Sequence, residues 1–423
     1  LRTITATLTV VAIAIPTPCL ASVGPWFEAQ LGQPVDLETA HVTGNVVWAP
    51  VGKLAAWAWE DGNYIDVCTT DERAVFSGPA HVVEGSQPAL APLTETEFLL
   101  AYVNTDGHIE ARMMNVDLTE VGKAVDLGEG SHPAATYVPG LGPAVAYASG
   151  QFVYVYLMKF DAETASITPA YRISIGPLTS EPTAVSLSCP GDVNGDGKPD
   201  LFVAFQLEDK VYVMAYGVSG DGPVSEGGIS VQGENPFLVG NVLLYDDGTE
   251  SKALVLTPSG SSLRAWDAGV VGPGVDPRAV LVDDLYLAVY LRGDALDCTV
   301  GIRFSPGSSS FYPDSTYTQV GCLVPATVEF YAVGSAGDTF EVFASSGSGA
   351  LVFPVEISAV NPVESLRSQT STLGPLILGA LAFTAGVEAA VIGPDAYRAV
   401  PVIIVPPLPP SCRRGPRGGG RSS

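Results

Sequence analysis

The amino-acid sequence predicts an all-β chain folded as a β-propeller: eight blades of four antiparallel strands, with seven blades as the alternative. Three observations lead there. A short motif, Gly85-Ser86-Gln87-Pro88-Ala89, returns as Gly130-Ser131-His132-Pro133-Ala134 and as Thr179-Ser180-Glu181-Pro182-Thr183, with weaker copies at Pro236, Pro277, Pro325 and Pro375. Successive copies lie roughly 41–54 residues apart, the length of a four-stranded blade. Between them, short apolar runs alternate with turns, and no helix-length periodicity interrupts the pattern. A lone four-stranded sheet cannot bury both faces, whereas radial stacking buries each against its neighbours. Repetition therefore argues for a closed ring.

The elements follow from this frame. The strongest apolar runs, 54–59, 98–103, 144–148, 201–205, 253–256, 286–291, 340–344 and 388–392, are expected as second strands. Third runs such as 152–158 and 211–216 follow, then fourth runs such as 124–127 and 229–231. The last unit, 376–405, supplies three strands and ends at Pro406-Pro407-Leu408-Pro409-Pro410. Gln33-Pro34-Val35-Asp36-Leu37-Glu38 stands alone before the first unit and matches the fourth-strand segment Lys123-Ala124-Val125-Asp126-Leu127-Gly128. It is expected to complete the last blade and close the ring without a covalent link. Segment 373–393 is apolar enough for a membrane span, yet Glu388, its glycines and its alignment with 331–343 favour strands. The signatures of other propellers are missing: no Trp-Asp/Gly-His pattern, no Gly-Gly doublet of kelch type, no sialidase box.

Composition sets the surroundings. The 423 residues hold 45 acidic and 20 basic side chains, a net charge of −25, and five of the arginines stand near the two ends. Such a surface repels nucleic acid and anionic membrane and favours cations. Arg2, the apolar run 4–15 and the small residues around Cys19-Leu20-Ala21 read as an export signal, cleaved after Ala21. The expected organisation is a signal peptide at 1–21, a propeller at 22–405 and a disordered Pro/Arg/Gly-rich tail at 406–423. The product would be secreted or cell-surface, a monomer with no transmembrane helix after processing. Five cysteines remain after cleavage, with no Cys-x-x-Cys pair to suggest zinc. Cys298 and Cys322 are the pair best placed to bridge neighbouring strands in an oxidising compartment.

One loop carries chemistry. Asp192-Val193-Asn194-Gly195-Asp196-Gly197-Lys198-Pro199-Asp200 sets oxygen-bearing side chains at positions 1, 3, 5 and 9, then runs into the apolar strand Leu201-Phe202-Val203-Ala204-Phe205. Hard cations such as Ca²⁺ take six to eight oxygens, and alternating Asp/Asn in a tight loop aims several at one point. Asp192, Asn194, Asp196 and Asp200 would give side-chain oxygens and Lys198 a backbone carbonyl. Gly195 and Gly197 allow the sharp turns this wrap requires. An EF-hand would need Glu at position 12, where Val203 stands. This Asp-x-Asn-x-Asp-Gly-x-x-Asp pattern before a strand resembles the calcium loop of FG-GAP/VCBS repeats, as in the propeller heads of integrin α chains. The resemblance implies bound Ca²⁺ and a role in adhesion or recognition of a protein or glycan. Several blades of such proteins carry the loop, and here it occurs once. Tyr245-Asp246-Asp247-Gly248-Thr249-Glu250 reads as a degenerate copy at the matching place in the next unit.

Catalytic patterns are sparse. The four histidines, His41, His81, His108 and His132, form no i, i+4 pair. His41 and His132 stand near the starts of units, where they read as turn residues or as members of a shared binding face. No phosphate-cradling glycine motif is present. Trp48, Trp57, Trp59, Tyr102 and Tyr147 could stack on sugars, but their places in the repeat make them inter-blade core. Two functions fit: an exported, non-enzymatic calcium-binding recognition, adhesion or scaffold module, or a carbohydrate-active enzyme using Asp/Glu of the central channel.

Overall fold

The computed structural model describes residues 26–37, 40–71, 75–283, 285–302, 317–324, 327–346 and 349–360. They form seven antiparallel sheets, taken in chain order after two N-terminal strands, β1 (Trp26–Leu31) and β2 (Val35–Asp36). Blade 1 holds β3 (Val46–Val51), β4 (Leu54–Asp61), β5 (Tyr64–Thr70) and β6 (Val75–Glu84). Blade 2 holds β7 (Ser86–Pro92), β8 (Glu97–Val103), β9 (His108–Asn115) and β10 (Glu120–Glu129). Blade 3 holds β11 (Ser131–Val138), β12 (Gly142–Ser149), β13 (Phe152–Asp161) and β14 (Ser166–Ile175). Blade 4 holds β15 (Ala184–Gly191), β16 (Asp200–Leu207), β17 (Lys210–Ser219) and β18 (Gly222–Gln232). Blade 5 holds β19 (Glu234–Val239), β20 (Val242–Asp246), β21 (Ser251–Ser259) and β22 (Ser262–Gly272). Blade 6 holds β23 (Val275–Val282), β24 (Leu285–Arg292), β25 (Ala295–Ile302) and β26 (Tyr317–Val324). Blade 7 begins with β27 (Phe330–Ala336), β28 (Thr339–Ser346) and β29 (Gly349–Val360), and takes β1 as its fourth strand.

Each blade's first strand packs beside the first strand of the next, and β27 of blade 7 packs beside β3 of blade 1, so the ring is shut. Seven apolar clusters fill the gaps, one between each pair of neighbours. Second strands are sandwiched between two blades and are buried on both faces, as in Leu54–Asp61 and Gly142–Ser149. Outer strands such as β6 meet solvent along one side and alternate. The runs 54–59, 98–103, 144–148, 201–205, 286–291 and 340–344 all fall in second strands. Run 253–256 belongs instead to the third strand of blade 5, because β20 precedes it.

The ring has seven blades, which corrects the expected eight. Closure happens one unit earlier than the sequence reading has it. β1 pairs antiparallel with β29 from Trp26↔Val360 to Leu31↔Val355, and β2 adds Val35↔Val352 and Asp36↔Leu351. An N-terminal strand does complete the last blade, but that blade is the one containing 340–344. The segment singled out at 33–38 contributes only the short β2, and the full fourth strand is 26–31. The expected unit 376–405, segment 373–393 and the tail lie outside the described residues, as does the expected signal peptide. Among the described residues, no helix is long and apolar enough to cross a membrane. Cys298 and Cys322 do fall on neighbouring strands, β25 and β26, with Cys298 opposite Gly321 and Cys322 opposite Asp297.

The repeated Gly-Ser-x-Pro motif has a physical cause. Its glycine lies under the tyrosine ring of the second strand: a Cβ on Gly85, Gly130, Gly233 or Gly274 would meet Tyr102, Tyr147, Tyr245 or Tyr290 at 2.4–2.7 Å. The residue before proline is steered away from the right-handed helical region. Here Gln87, His132, Asn235 and Asp276 take φ of 51–52°, and each marks a bulge at the start of an innermost strand. The bulge turns the N–H of that residue towards the preceding blade. Glu60 accepts it from Gln87 at 2.9 Å, Gln87 from His132 at 2.6 Å, Gln206 from Asn235 at 3.0 Å and Asp246 from Asp276 at 2.9 Å. The motif therefore laces one blade to the next at one end of the channel.

Candidate metal centre

The innermost strands enclose a channel of about 320 Å³ whose wall includes Trp48, Pro88, Ser186, Ser188, Arg278 and Val333. Its serines are already engaged between blades: Ser186 Oγ accepts the Leu238 N–H at 2.9 Å and Ser188 Oγ donates to the Gly240 carbonyl at 2.9 Å. Among the described lining residues none is Asp or Glu, and the one charged side chain, Arg278, is paired with Asp276 at 2.9 Å. Trp57, Trp59, Tyr102 and Tyr147 are buried between blades and Trp48 packs against two of the clusters, so the expected inter-blade role holds. His132 sits at a motif bulge at the start of β11, and His41 brings Nδ1 to 3.0 Å from Asp61, the last residue of β4 on blade 1.

The acidic loop occupies 192–199, between the first and second strands of blade 4, and carries Asp192, Asn194, Asp196 and Lys198, with Asp200 opening the strand that follows. Its fold is held by its own side chains. Asp192 accepts N–H bonds from Gly195 at 2.6 Å, Asp196 at 3.1 Å and Gly197 at 2.8 Å. Asn194 Oδ1 accepts from Asp196 at 2.9 Å, and Asp196 from Lys198 at 2.9 Å. Gly195 and Gly197 have φ of 79° and 86°, and a side chain there would be strained. Asp200, the first residue of β16, is fully buried; its Oδ2 accepts the Val193 N–H at 2.6 Å and the Asn194 N–H at 3.3 Å. The loop closes back on the strand through Asp200.

A sixth residue joins these five. Glu226 on β18, the outer strand of the same sheet, reaches Asn194 Nδ2 at 3.3 Å with Oε1, while its Oε2 is buried without a partner. Glu226 is 6% exposed. Burial pushes its carboxyl up to about 7, and the neighbouring Asp200 adds to the rise. Burial raises Asp200 as well, against the opposing hydrogen bond to Glu226 and those from Val193 and Asn194. No described Lys or Arg pairs with either carboxylate. Two buried carboxylates in contact, one oxygen unpartnered and no basic side chain to balance them, leave a deficit of positive charge that a divalent cation fits.

Nothing in the loop pattern points to Glu226, 26 residues beyond Asp200 on an otherwise alternating strand. The signal was Glu226-Gly227-Gly228. The ladder slips between Met214 and Tyr216, and Gly227 takes φ 97°. That bulge turns Glu226 inward. The segment 246–250 is no copy of this loop. It joins the second and third strands of blade 5, so it lies at the other end of its sheet. There Asp247 accepts from Thr249, Glu250 and Lys252, the last at 2.5 Å.

A shut ring of seven four-stranded sheets with one acidic first-turn loop defines the class as a β-propeller. Residues 184–225 match the family model described as FG-GAP repeat, which spans β15, the loop, β16 and β17 and reaches into β18. The match, on blade 4 of a seven-bladed ring, supports an FG-GAP β-propeller, with the repeat itself carried by residues 184–225. None of the curated proteins matches it. Solved structures similar to it include a propeller of Dos1, at 11% identity and TM-score 0.48, covering 77% of this chain and 95% of that one. The SapL1 lectin in complex with alpha methyl fucoside is 11% identical with TM-score 0.45, covering 68% and 98%. The WD40 domain of Toxoplasma gondii coronin is 11% identical with TM-score 0.44, covering 79% and 87%.

Proposed function

We propose that this protein is an exported, calcium-binding propeller acting as a non-enzymatic recognition, adhesion or scaffold module for a protein or glycan. The observation that carries the calcium reading is the buried Asp200–Glu226 pair, to which the Asn194 amide donates, with the carboxylates of Asp192 and Asp196 near enough to act on it. Ca²⁺ would be held by those side chains and the Lys198 carbonyl, with Glu226 the support from the outer strand. Bound there, it neutralises the carboxylates and stiffens the turn between β15 and β16. It acts at the end of blade 4 opposite the motif-laced channel mouth, so its role is structural support for a binding face elsewhere. The apolar run 4–15 favours export into calcium-rich surroundings, and the acidic surface favours partners other than nucleic acid. The enzyme alternative needs carboxylates in the central channel, and the described wall supplies none.

Thermal melting of the full chain with and without Ca²⁺ tests the first half. At about one hundred times the dissociation constant, binding to the folded state alone adds about 2.7 kcal/mol. An extracellular-type site of about 10⁻⁴ M would show this near 10 mM Ca²⁺. A melt indifferent to 10 mM Ca²⁺ would refute it. A glycan array beside a polysaccharide-degradation screen tests the second half. Turnover by the pure protein, lost on one carboxylate substitution, would overturn the non-enzymatic reading.

A further inference from the structure

Blade 1 carries a second set of ligand-type side chains, unrelated to the loop of blade 4. Asp61 ends β4, Asp66 lies on β5 and His81 on β6, and one ligand atom of each falls within 4.8 Å of the others. The β5–β6 ladder slips between Ile65 and Asp66, which sets His81 opposite Asp66. His81 Nδ1 bonds Asp66 Oδ1. The Tyr64 ring lies against the His81 ring, centroids 4.9 Å apart, and holds its plane. His41, from the segment linking β2 to blade 1, brings Nδ1 to 3.0 Å from Asp61 Oδ1. Asp66 is 4% exposed, and no described Lys or Arg pairs with it or with Asp61.

We infer that Asp61, Asp66 and His81 form a transition-metal site of the Zn²⁺ class, with His41 supporting Asp61 from outside the coordination sphere. Two carboxylates balance a divalent charge. An imidazole among the ligands selects Zn²⁺, Ni²⁺, Cu²⁺ or Fe²⁺ over Ca²⁺ and Mg²⁺, which take all-oxygen sets. Zinc holds carboxylate oxygen and imidazole nitrogen at about 2.0–2.2 Å, so the hydrogen-bonded His81 and Asp66 atoms must part to admit the ion while Asp61 turns onto it. Buried Asp66 is the fixed anchor. Half-buried Asp61 and exposed His81 have the rotamer freedom to close on it. A carboxylate hydrogen-bonded to a second residue is the usual outer support of a metal ligand, and the His41–Asp61 contact has that form. The ion would pin the second, third and fourth strands of blade 1 together. Through His41 it would also hold the segment that follows the ring-closing strands. The solvent side stays open for water or for a partner's side chain.

The test uses the full chain without a polyhistidine tag, titrated with Co²⁺ and read by its visible d–d absorption, and with Zn²⁺ by calorimetry. The expected result is one saturable equivalent that millimolar Ca²⁺ does not displace. His81→Gln and Asp61→Asn should each weaken it at least tenfold, and His41→Ala by about tenfold. His108→Gln, which breaks a similar His–Asp contact with Asp126, should leave it unchanged, as should Asp192→Asn in blade 4. Both ligand variants change surface or half-buried side chains, and unchanged far-ultraviolet dichroism verifies their folding. Absence of saturable Co²⁺ and Zn²⁺ binding, or binding that survives His81→Gln and Asp61→Asn, overturns the inference and leaves two ordinary ion pairs.

Discussion

Replacing Glu341 by Gln should stabilise the protein at alkaline pH and leave it nearly unchanged in acid. Glu341 lies on β28, 1% exposed, at the seam where blade 7 meets blade 1. Its Oε2 accepts a hydrogen bond from Thr70 Oγ1 at 3.1 Å, and Thr70 Oγ1 accepts the Trp57 indole N–H at 2.9 Å. Burial pushes this carboxyl up from 4.5 to about 7. Between those values the folded chain keeps a proton that the unfolded chain has released, so stability falls as pH rises through the window. Below about pH 4.5 both states are protonated and the cost vanishes; above about pH 7 it is complete. At 1.36 kcal/mol per pKa unit the full cost is about 3 kcal/mol. With an unfolding entropy of about 2.1 cal/mol/K per residue over the roughly 310 described residues, this is a shift of about 4–5 °C in Tm. Glutamine keeps an acceptor for Thr70 and carries no charge. Melts of both proteins between pH 4 and 9 should coincide near pH 4 and diverge to that margin by pH 8. Asp66, Asp200 and Glu226 are unchanged between the two proteins, so the difference isolates Glu341. An offset independent of pH, or a less stable variant at pH 8, would refute the reasoning.

Glu226→Gln should weaken Ca²⁺ binding by tenfold or more, about 1.4 kcal/mol, while the apo protein melts no lower because a buried carboxylate pair has been relieved; calorimetry against wild type checks both. Deleting 26–37 strips β29 of its partner and uncovers the cluster containing Leu37, Trp57, Trp59 and Phe343, so Tm should drop by at least about 5 °C, each lost large apolar side chain being worth about 1.5–3 kcal/mol. Gly334→Ala places a Cβ 2.6 Å from the Trp48 indole at the same seam and should cost about 1–3 kcal/mol, read as a lower urea midpoint. Gln206→Ala orphans the Asn235 N–H between blades 4 and 5 and should cost about 1–3 kcal/mol by the same measure.

What could be read from the sequence, and what could not, follows from range. Second strands such as 54–61 and 142–149 are legible because burial between two blades makes them apolar on both faces. The Gly-Ser-x-Pro repeat is legible because a tyrosine ring, a left-handed residue and a proline each demand one residue type. The tight turn at 192–200 is legible for the same reason, since its hydrogen bonds are local. Blade number was not, because it depends on which distant strand β29 meets, and 26–31 carries no motif to announce the pairing. Glu226 and the blade 1 cluster were invisible too: they are assembled by bulges that rotate single residues across a ladder, and a one-residue slip leaves almost no mark on hydropathy.

The pairing of β1 with β29 sets an order on how the molecule comes to be made. Strand β1 finds its neighbour only after residue 360 has emerged from the ribosome, so six complete sheets wait beside a seventh that lacks its rim. Sequence separation of that kind slows folding and leaves unpaired backbone exposed in the interval. A nascent chain halted before β29 would therefore be an open arc with two sticky flanks, the form in which this protein is most prone to join another copy of itself.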